Sequence, residues 1–227
     1  CARKGSKGVK NKNIVTINNK HLIYYTISIA KKSKIFEDIV FSTDSKKFQK
    51  IAKKYGLNSF FLRPKKLSTS TIPKIPVIRH ALIKSEKYYN KKYDYIIDLD
   101  VSSPLRTISD IKKAFNKIIK TKSDSLFSVN NSRKNPYYNV VESKKNNIFK
   151  LIKNFKHSIN SRQIAPKVYD MNASIHIWKR KALLKNDTLF RKKNTIYLMP
   201  DNRGHDIDSK NDLKIVSYFL KNKKLYN

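Results

Sequence analysis

The sequence predicts an α/β fold with a doubly wound sheet, and three observations carry that expectation. Short apolar runs of strand type alternate with stretches whose apolar residues recur at the 3.6-residue helical period. The run Tyr93–Leu99 is mostly apolar, as expected of a strand covered on both faces. Two helix-start signatures, Thr107-x-x-Asp110 and Ser209-x-x-Asp212, stand directly before periodic apolar segments. A length of 227 residues fits one domain of the larger kind better than two equal ones.

The elements follow in order. Asp38–Ser42 reads as a strand running into the polar turn Thr43-Asp44-Ser45, and Phe48, Ile51, Ala52 and Tyr55 mark the helix after it. Asn58–Leu62 reads as another strand, stopped by Arg63-Pro64. Ile75, Ile78, Ala81 and Leu82 mark a long helix before the Tyr93–Leu99 strand. Ile111, Ala114, Phe115 and Ile118 continue the helix opened at Thr107, and Ser125–Val129 is a strand. Thr195–Met199 is the last strand, and Leu213, Val216 and Leu220 line the last helix. Residues 131–170 break this rhythm: they are polar and rich in Asn and Lys, with strand candidates at Tyr138–Val141 and Ile148–Leu151. They are expected to form an excursion inside a single domain spanning 1–227. The chain opens on a glycine-bearing loop where a parallel sheet would place its first central strand, so a strand ahead of Cys1 is expected.

The net charge is +35, from 51 Lys and Arg against 16 Asp and Glu. A nucleic-acid or anionic-membrane partner is one reading of such a field. The distribution argues against a specific nucleic-acid function, because 42 of the cations are Lys, set in pairs along the whole chain, and only nine are Arg. An anionic small substrate would gain from the same field. No run of about 18 apolar residues predicts a membrane span. The single cysteine, Cys1, excludes internal disulfides and multi-cysteine zinc sites and points to a reducing cytoplasm.

Three blocks carry chemistry. In Ala2-Arg3-Lys4-Gly5-Ser6-Lys7-Gly8, followed by Lys12-Asn13, two glycines let backbone N–H groups approach an anion while Arg3, Lys7 and Lys12 supply countercharge. It is neither a Walker loop nor GxGxxG, and a solvated basic turn has the same composition. In Asp206-Ile207-Asp208, carboxylates at alternate positions can meet a hard cation such as Mg2+. Acids favoured at a helix N-terminus are the other reading. Asp98-Leu99-Asp100-Val101-Ser102-Ser103-Pro104-Leu105-Arg106 closes a strand at the carboxyl end, where open α/β sheets bind ligands.

Taken together, residues 2–13 (ARKGSKGVKNKN), 41–45 (FSTDS), 62–64 (LRP), 102–107 (SSPLRT), Arg162-Gln163 with Asn172-Ala173-Ser174-Ile175, and 206–208 (DID) resemble the acylneuraminate cytidylyltransferases, or CMP-sialic acid synthetases. The blocks run in order over essentially the whole chain. The resemblance implies a Rossmann-like three-layer α/β/α sandwich of the nucleotide-diphospho-sugar transferase type, with 131–170 as a homodimerisation arm. It implies CTP and a nonulosonic acid as substrates, Mg2+ or Mn2+ as cofactor, and release of pyrophosphate as CMP passes to the anomeric hydroxyl.

The same resemblance assigns Arg3, Ser6, Lys7, Lys12, Asn13 and Arg63 to the nucleotide, and Arg3, Lys7 and Asp208 to catalysis. It assigns Asp100, Ser102, Arg106, Arg162 and Asn172 to the sugar, and Asp206 and Asp208, joined by Asp100, to the metal. His80 and His205 are the histidines to weigh as general bases, His80 within a helix pattern. The sequence departs from the sialic-acid type in Asp100-Val101 where Gln-Pro is usual, in Ser70 for Asp, in Ala173 for Gly, and in Pro73-Lys74-Ile75-Pro76. These departures leave the nucleotide half intact and make legionaminate or another bacterial nonulosonate an alternative sugar. A sugar-1-phosphate nucleotidyltransferase is the second enzyme reading, and a nucleic-acid binder the non-enzymatic one.

Overall fold

The computed structural model describes residues 1–6, 8–155, 161–185, 187–190 and 192–225. A small ribbon of β1 (Thr16–Ile17) and β2 (Lys20–His21) leads into α1 (Leu22–Ser33) and α2 (Lys46–Lys54). Then come α3 (Lys74–Tyr89), β3 (Tyr95–Leu99), α4 (Ile108–Thr121) and β4 (Ser125–Asn131). The excursion carries β5 (Val141–Ser143) and β6 (Phe149–Leu151). The chain returns through β7 (Tyr169–Lys179), α5 (Arg180–Lys185), β8 (Asn194–Leu198) and α6 (Lys210–Lys221). Among the described residues, no helix is long and apolar enough to cross a membrane.

The central sheet has the order β3-β7-β4-β8. β7 runs antiparallel to both β3 and β4, whereas β4 and β8 are parallel. Its side chains alternate between two cores, which makes the sandwich three layers deep. Ile175 and Ile177 face α1 and α4, packing with Leu99, Leu126, Ile111 and Ile118. Trp178 faces the other way, onto Ile75, Ile78 and Leu82 of α3 and Leu183 of α5. Both predicted capping boxes form: Thr107 and Asp110 open α4, and Ser209 and Asp212 open α6. A third apolar cluster joins Ile23 and Ile27 of α1, Phe48 of α2 and Val216 of α6 to Ala2, Val9, Leu105 and Ile207, so the loops that bear chemistry rest on a common core.

The sheet has helices on both faces as expected, but it is mixed rather than wholly parallel. The central antiparallel β7 was missed by the sequence reading although Met171, Ala173, Ile175 and Ile177 alternate with Asn172, Ser174 and His176 at the strand period. Nor do Asp38–Ser42 and Asn58–Leu62 form strands of the sheet. They are tied by scattered bonds, Ala2 N–H to Ser42 O at 3.0 Å and Arg63 N–H to Thr43 O at 2.8 Å, with Ser59 Oγ donating to Phe41 O at 2.7 Å. An apolar cavity of about 350 Å³ separates Ile39, Val40 and Phe41 from β3. A ladder needs strands about 4.8 Å apart, and this gap prevents one. In the excursion, β5 and β6 pair antiparallel, with Glu142 opposite Lys150; residues 138–140 belong to the preceding turn instead.

Candidate active site

A polar cleft of about 400 Å³ opens where the N-terminal loop meets the turn after β3 and the segment before α6. Arg3, Ser6, Gly8, Lys12 and Asn13 line one side, and Asp100, Ser102, Ala173, Asp206 and Asp208 line the other. Gly8 makes the closure possible. A Cβ at that position would sit 1.9 Å from Asp208 O, so only a glycine lets the two segments touch. Lys12 then crosses the cleft, its ammonium 2.9 Å from Asp208 Oδ1 and also bonded to Ile207 O. Asn13 holds the loop from beneath by donating from Nδ2 to Arg3 O at 3.1 Å.

The two carboxylates of the D-x-D pair differ sharply. Asp208 is exposed, with 82% of its side chain open to solvent. Asp206 is turned inward, accepting from Ser103 Oγ and, at 3.0 Å, from Ala173 N–H. Burial pushes its pKa upward, with Asp100 and Asp208 adding to the rise against the bonds from Ser103 and Ala173. A cation beside it would reverse that shift. Among the described residues, no group of three His, Cys, Asp or Glu side chains could hold a metal alone. The donor set fits a Mg2+ or Mn2+ ion that arrives with a triphosphate, since such ions are commonly held by one or two carboxylates plus phosphate oxygens.

Asp100 sits at the floor of the cleft with both oxygens engaged. Oδ1 accepts from Ser102 N–H at 3.0 Å and Ser102 Oγ at 2.9 Å, and Oδ2 lies 3.0 Å from Lys74 Nζ. Lys74 Nζ also lies 2.9 Å from Asp98 Oδ2. Burial alone would lower the Lys74 pKa, but Asp100 and Asp98 overcome it and raise it; both carboxylates are held below their ordinary range by Lys74 in return. Lys74 is a charged partner of this turn that the sequence reading did not assign to the site. Its signals were the unusual Pro73-Lys74-Ile75-Pro76 stretch and a lysine in a helix's first turn, where the macrodipole disfavours a cation.

Other expected sugar-site residues do not face this cleft. Arg106 is 1% exposed and spends its guanidinium on the protein: Nε on Ser174 Oγ at 2.9 Å, Nη1 on Thr26 Oγ1 at 3.1 Å, and Nη2 on Asp100 O. Burial pulls its pKa down to about 10, which leaves it a cation at neutral pH. Its bond to Asp100 O ties it to the turn after β3. Asn172 is likewise buried, donating to Asn130 Oδ1 at 2.6 Å and accepting from Ser174 N–H at 3.2 Å. Arg162 belongs to the excursion, bonded to Arg133 O at 3.0 Å and apart from the cleft lining. Arg63 stands behind the lining, its Nε on Ser68 Oγ at 3.1 Å, and burial lowers its pKa. Lys7 lies outside the described residues. No described histidine lines the cleft; His80 sits on α3 against Phe61, and His205 stacks on Phe219.

A three-layer α/β sandwich whose basic glycine loop faces Asp100 beyond β3 and Asp206 and Asp208 before α6 is arranged as a nucleotide-binding α/β fold. The chain belongs to the cytidylyltransferase family, whose model matches residues 1–225. It is 47% identical over 225 residues to the post-translational flagellin modification protein B of Campylobacter coli, covering 99% of this chain and 94% of that protein. It is 44% identical, with the same coverage, to the CMP-N,N'-diacetyllegionaminic acid synthase of Campylobacter jejuni. Its fold matches the structure of CMP:2-keto-3-deoxy-manno-octonic acid synthetase complexed with CTP, at a TM-score of 0.69 and 12% identity over 98% of this chain and 96% of that one.

Proposed function

We propose that the protein transfers CMP from CTP to the anomeric hydroxyl of a legionaminate-type nonulosonic acid. The observation that carries this reading is the cleft itself, with Arg3, Lys12 and the Gly8 loop on one wall and Asp100, Asp206 and Asp208 on the other. The 44% identity to a legionaminic acid synthase favours that sugar over N-acetylneuraminate, as does Asp100 in place of a neutral Gln.

In this scheme the anomeric hydroxyl oxygen attacks the α-phosphorus and gives up its proton to solvent, the bond from that phosphorus to the bridging oxygen breaks, and pyrophosphate leaves. Arg3, Lys12 and the loop N–H groups bind the triphosphate and offset the charge that develops on it. A Mg2+ or Mn2+ ion held in the cleft would supply positive charge to offset that of the triphosphate. Asp208, with Asp206 behind it, is the carboxylate suited to hold that ion. The Lys12 ammonium, paired with Asp208, is the cation placed to meet phosphate once that pair parts. Asp100 and Ser102 offer the sugar an acceptor and a hydroxyl at the cleft floor. A homodimer joined through 131–170 and a cytoplasmic location belong to the same proposal. The exposed apolar side chains of the excursion support the first, and the single free cysteine supports the second.

A pyrophosphate-release assay tests the reading across CTP, UTP and GTP with N,N'-diacetyllegionaminate, N-acetylneuraminate and hexose 1-phosphates. Turnover only with CTP and a nonulosonate is expected. Turnover with a hexose phosphate, or none with any nonulosonate, would overturn it.

A further inference from the structure

The Lys74 ammonium occupies an unusual place. It comes from the first residue of α3, a helix with no acidic residue in its first turn, where the macrodipole opposes a positive charge. Its Nζ is shut off from solvent although 30% of the side chain is exposed, so the stem lies at the surface and the charge points inward. Such burial is unfavourable unless the charge is matched. Here it is matched twice, by Asp98 at 2.9 Å and Asp100 at 3.0 Å. Those two carboxylates fall on one side of the chain by strand alternation and would repel each other without a cation between them. Asp98 is the buried member, with 5% of its side chain exposed; Asp100, with 22% exposed, looks into the cleft.

We propose that Lys74 is the specificity-determining positioning residue of the acceptor half of the site. It fixes Asp100 as an ionised acceptor, turned so that its cleft edge takes hydrogen bonds from sugar hydroxyl or amide N–H groups. It also offsets the negative charge that would repel the sugar's own carboxylate. Oδ1 takes two donors from Ser102, and Oδ2 takes only the Lys74 ammonium, which leaves acceptor capacity on Oδ2 for one further donor from the cleft. Lys74 and Asp100 therefore form one recognition unit. This inference rests on the proposed acceptor being a sugar acid.

The test is a double-mutant cycle with Lys74→Met, Asp100→Asn and the double variant, measuring the sugar KM by turnover and the Kd for CTP with Mg2+ by calorimetry. Loss of one charge-assisted contact predicts that Lys74→Met raises the sugar KM about tenfold or more and leaves the CTP Kd within about threefold. The double variant is expected to be no worse than the poorer single variant, because Lys74 acts through Asp100. Multiplying effects, or a CTP Kd that weakens in step with the sugar KM, would overturn the inference. Lys74→Gln, which keeps a donor of similar reach, supplies the same comparison if the Met variant does not fold, and thermal melting reports folding for all variants. A wild-type enzyme without nonulosonate turnover sinks the proposed function. A wild-type enzyme that turns over while Lys74→Met and Lys74→Gln keep its sugar KM sinks only the role of Lys74.

Discussion

Lys12 and Asp208 stand 196 residues apart in sequence and 2.9 Å apart in space, joining the two walls of the cleft at its mouth. The pair is a latch of opposite charges on groups that would part when a triphosphate and its cation enter. Asp208→Asn removes the exposed carboxylate but not the fold, since the side chain is 82% open to solvent. Turnover is expected to fall by about a hundredfold or more, with thermal stability near that of the wild type. Binding of Mn2+ in the presence of CTP, followed by electron paramagnetic resonance, should weaken in parallel. Near-normal turnover with Mg2+ would remove Asp208 from the metal site.

Gly8→Ala tests the closure directly. The new methyl group has Asp208 O at 1.9 Å, so one of the two segments must move. Misplacing a catalytic segment by about an ångström costs on the order of a hundredfold in rate. The circular dichroism spectrum should be unchanged while kcat/KM for CTP collapses. An active Gly8→Ala enzyme would mean that the loop and the Asp208 segment separate during turnover.

How far the sequence disclosed all this depended on whether a signal was local. The α4 and α6 starts were legible because Thr107 with Asp110 and Ser209 with Asp212 form reciprocal side-chain caps. The start of α1 was not, because its N-cap, His21, makes no side-chain cap bond. In β7, the inward-facing Asn172 and Ser174 bond to Asn130 and Arg106, and the alternation of such polar residues with apolar ones went unread. The loop 2–13 and the Asp206–Asp208 pair were legible as chemistry, whereas Arg106 and Asn172 were assigned to the sugar only through the family resemblance; the structure buries both and bonds each to the scaffold. Lys74 needed three dimensions, since its partners lie on another element.

His176 gives the protein a pH-dependent stability. It lies opposite Asp98 in the β3–β7 register, is 3% exposed and stacks on Trp178. Burial, reinforced by Lys74, lowers its pKa to about 4. The folded state thus binds fewer protons than the unfolded chain between that value and an ordinary histidine pKa of about 6.5. Stability is therefore complete above about pH 6.5 and declines as pH falls towards 4, by about 3 kcal/mol for this group. Urea titrations at pH 7 and 4.5 should show that loss, and His176→Asn should flatten it. An equal slope in the variant would assign the loss to other groups.

The excursion should hold two protomers together. Phe149 is 63% exposed and Ile164 62%, and Val141, Ile148 and Phe155 are also open to solvent. That much apolar surface on a two-stranded ribbon is more than a solvated loop carries, and a closed two-fold pairing would bury it. Light scattering at micromolar concentration and moderate salt should report a dimer, and Phe149→Lys should report a monomer. A monomeric wild type contradicts the assignment.

Asp100→Gln tests whether the carboxylate beside Lys74 selects the sugar. Its carboxylate is held by Ser102 on one oxygen and Lys74 on the other, so a glutamine placed there loses the ion pair and carries a longer side chain into the cleft. Lys74 would then face Asp98 alone, and the cleft floor would gain one positive charge relative to the wild type. Asp100→Gln is expected to lower kcat/KM for the legionaminate-type sugar by about tenfold or more, because a charged acceptor is replaced by a neutral, displaced amide. The same amide offers both a donor and an acceptor, and removing the negative charge eases the approach of a sugar acid that does not use Asp100. N-acetylneuraminate should therefore gain relative to the legionaminate-type sugar, and the ratio of the two kcat/KM values is the measurement. An unchanged ratio would make Asp100 a residue of the turn and place recognition of the sugar elsewhere in the cleft.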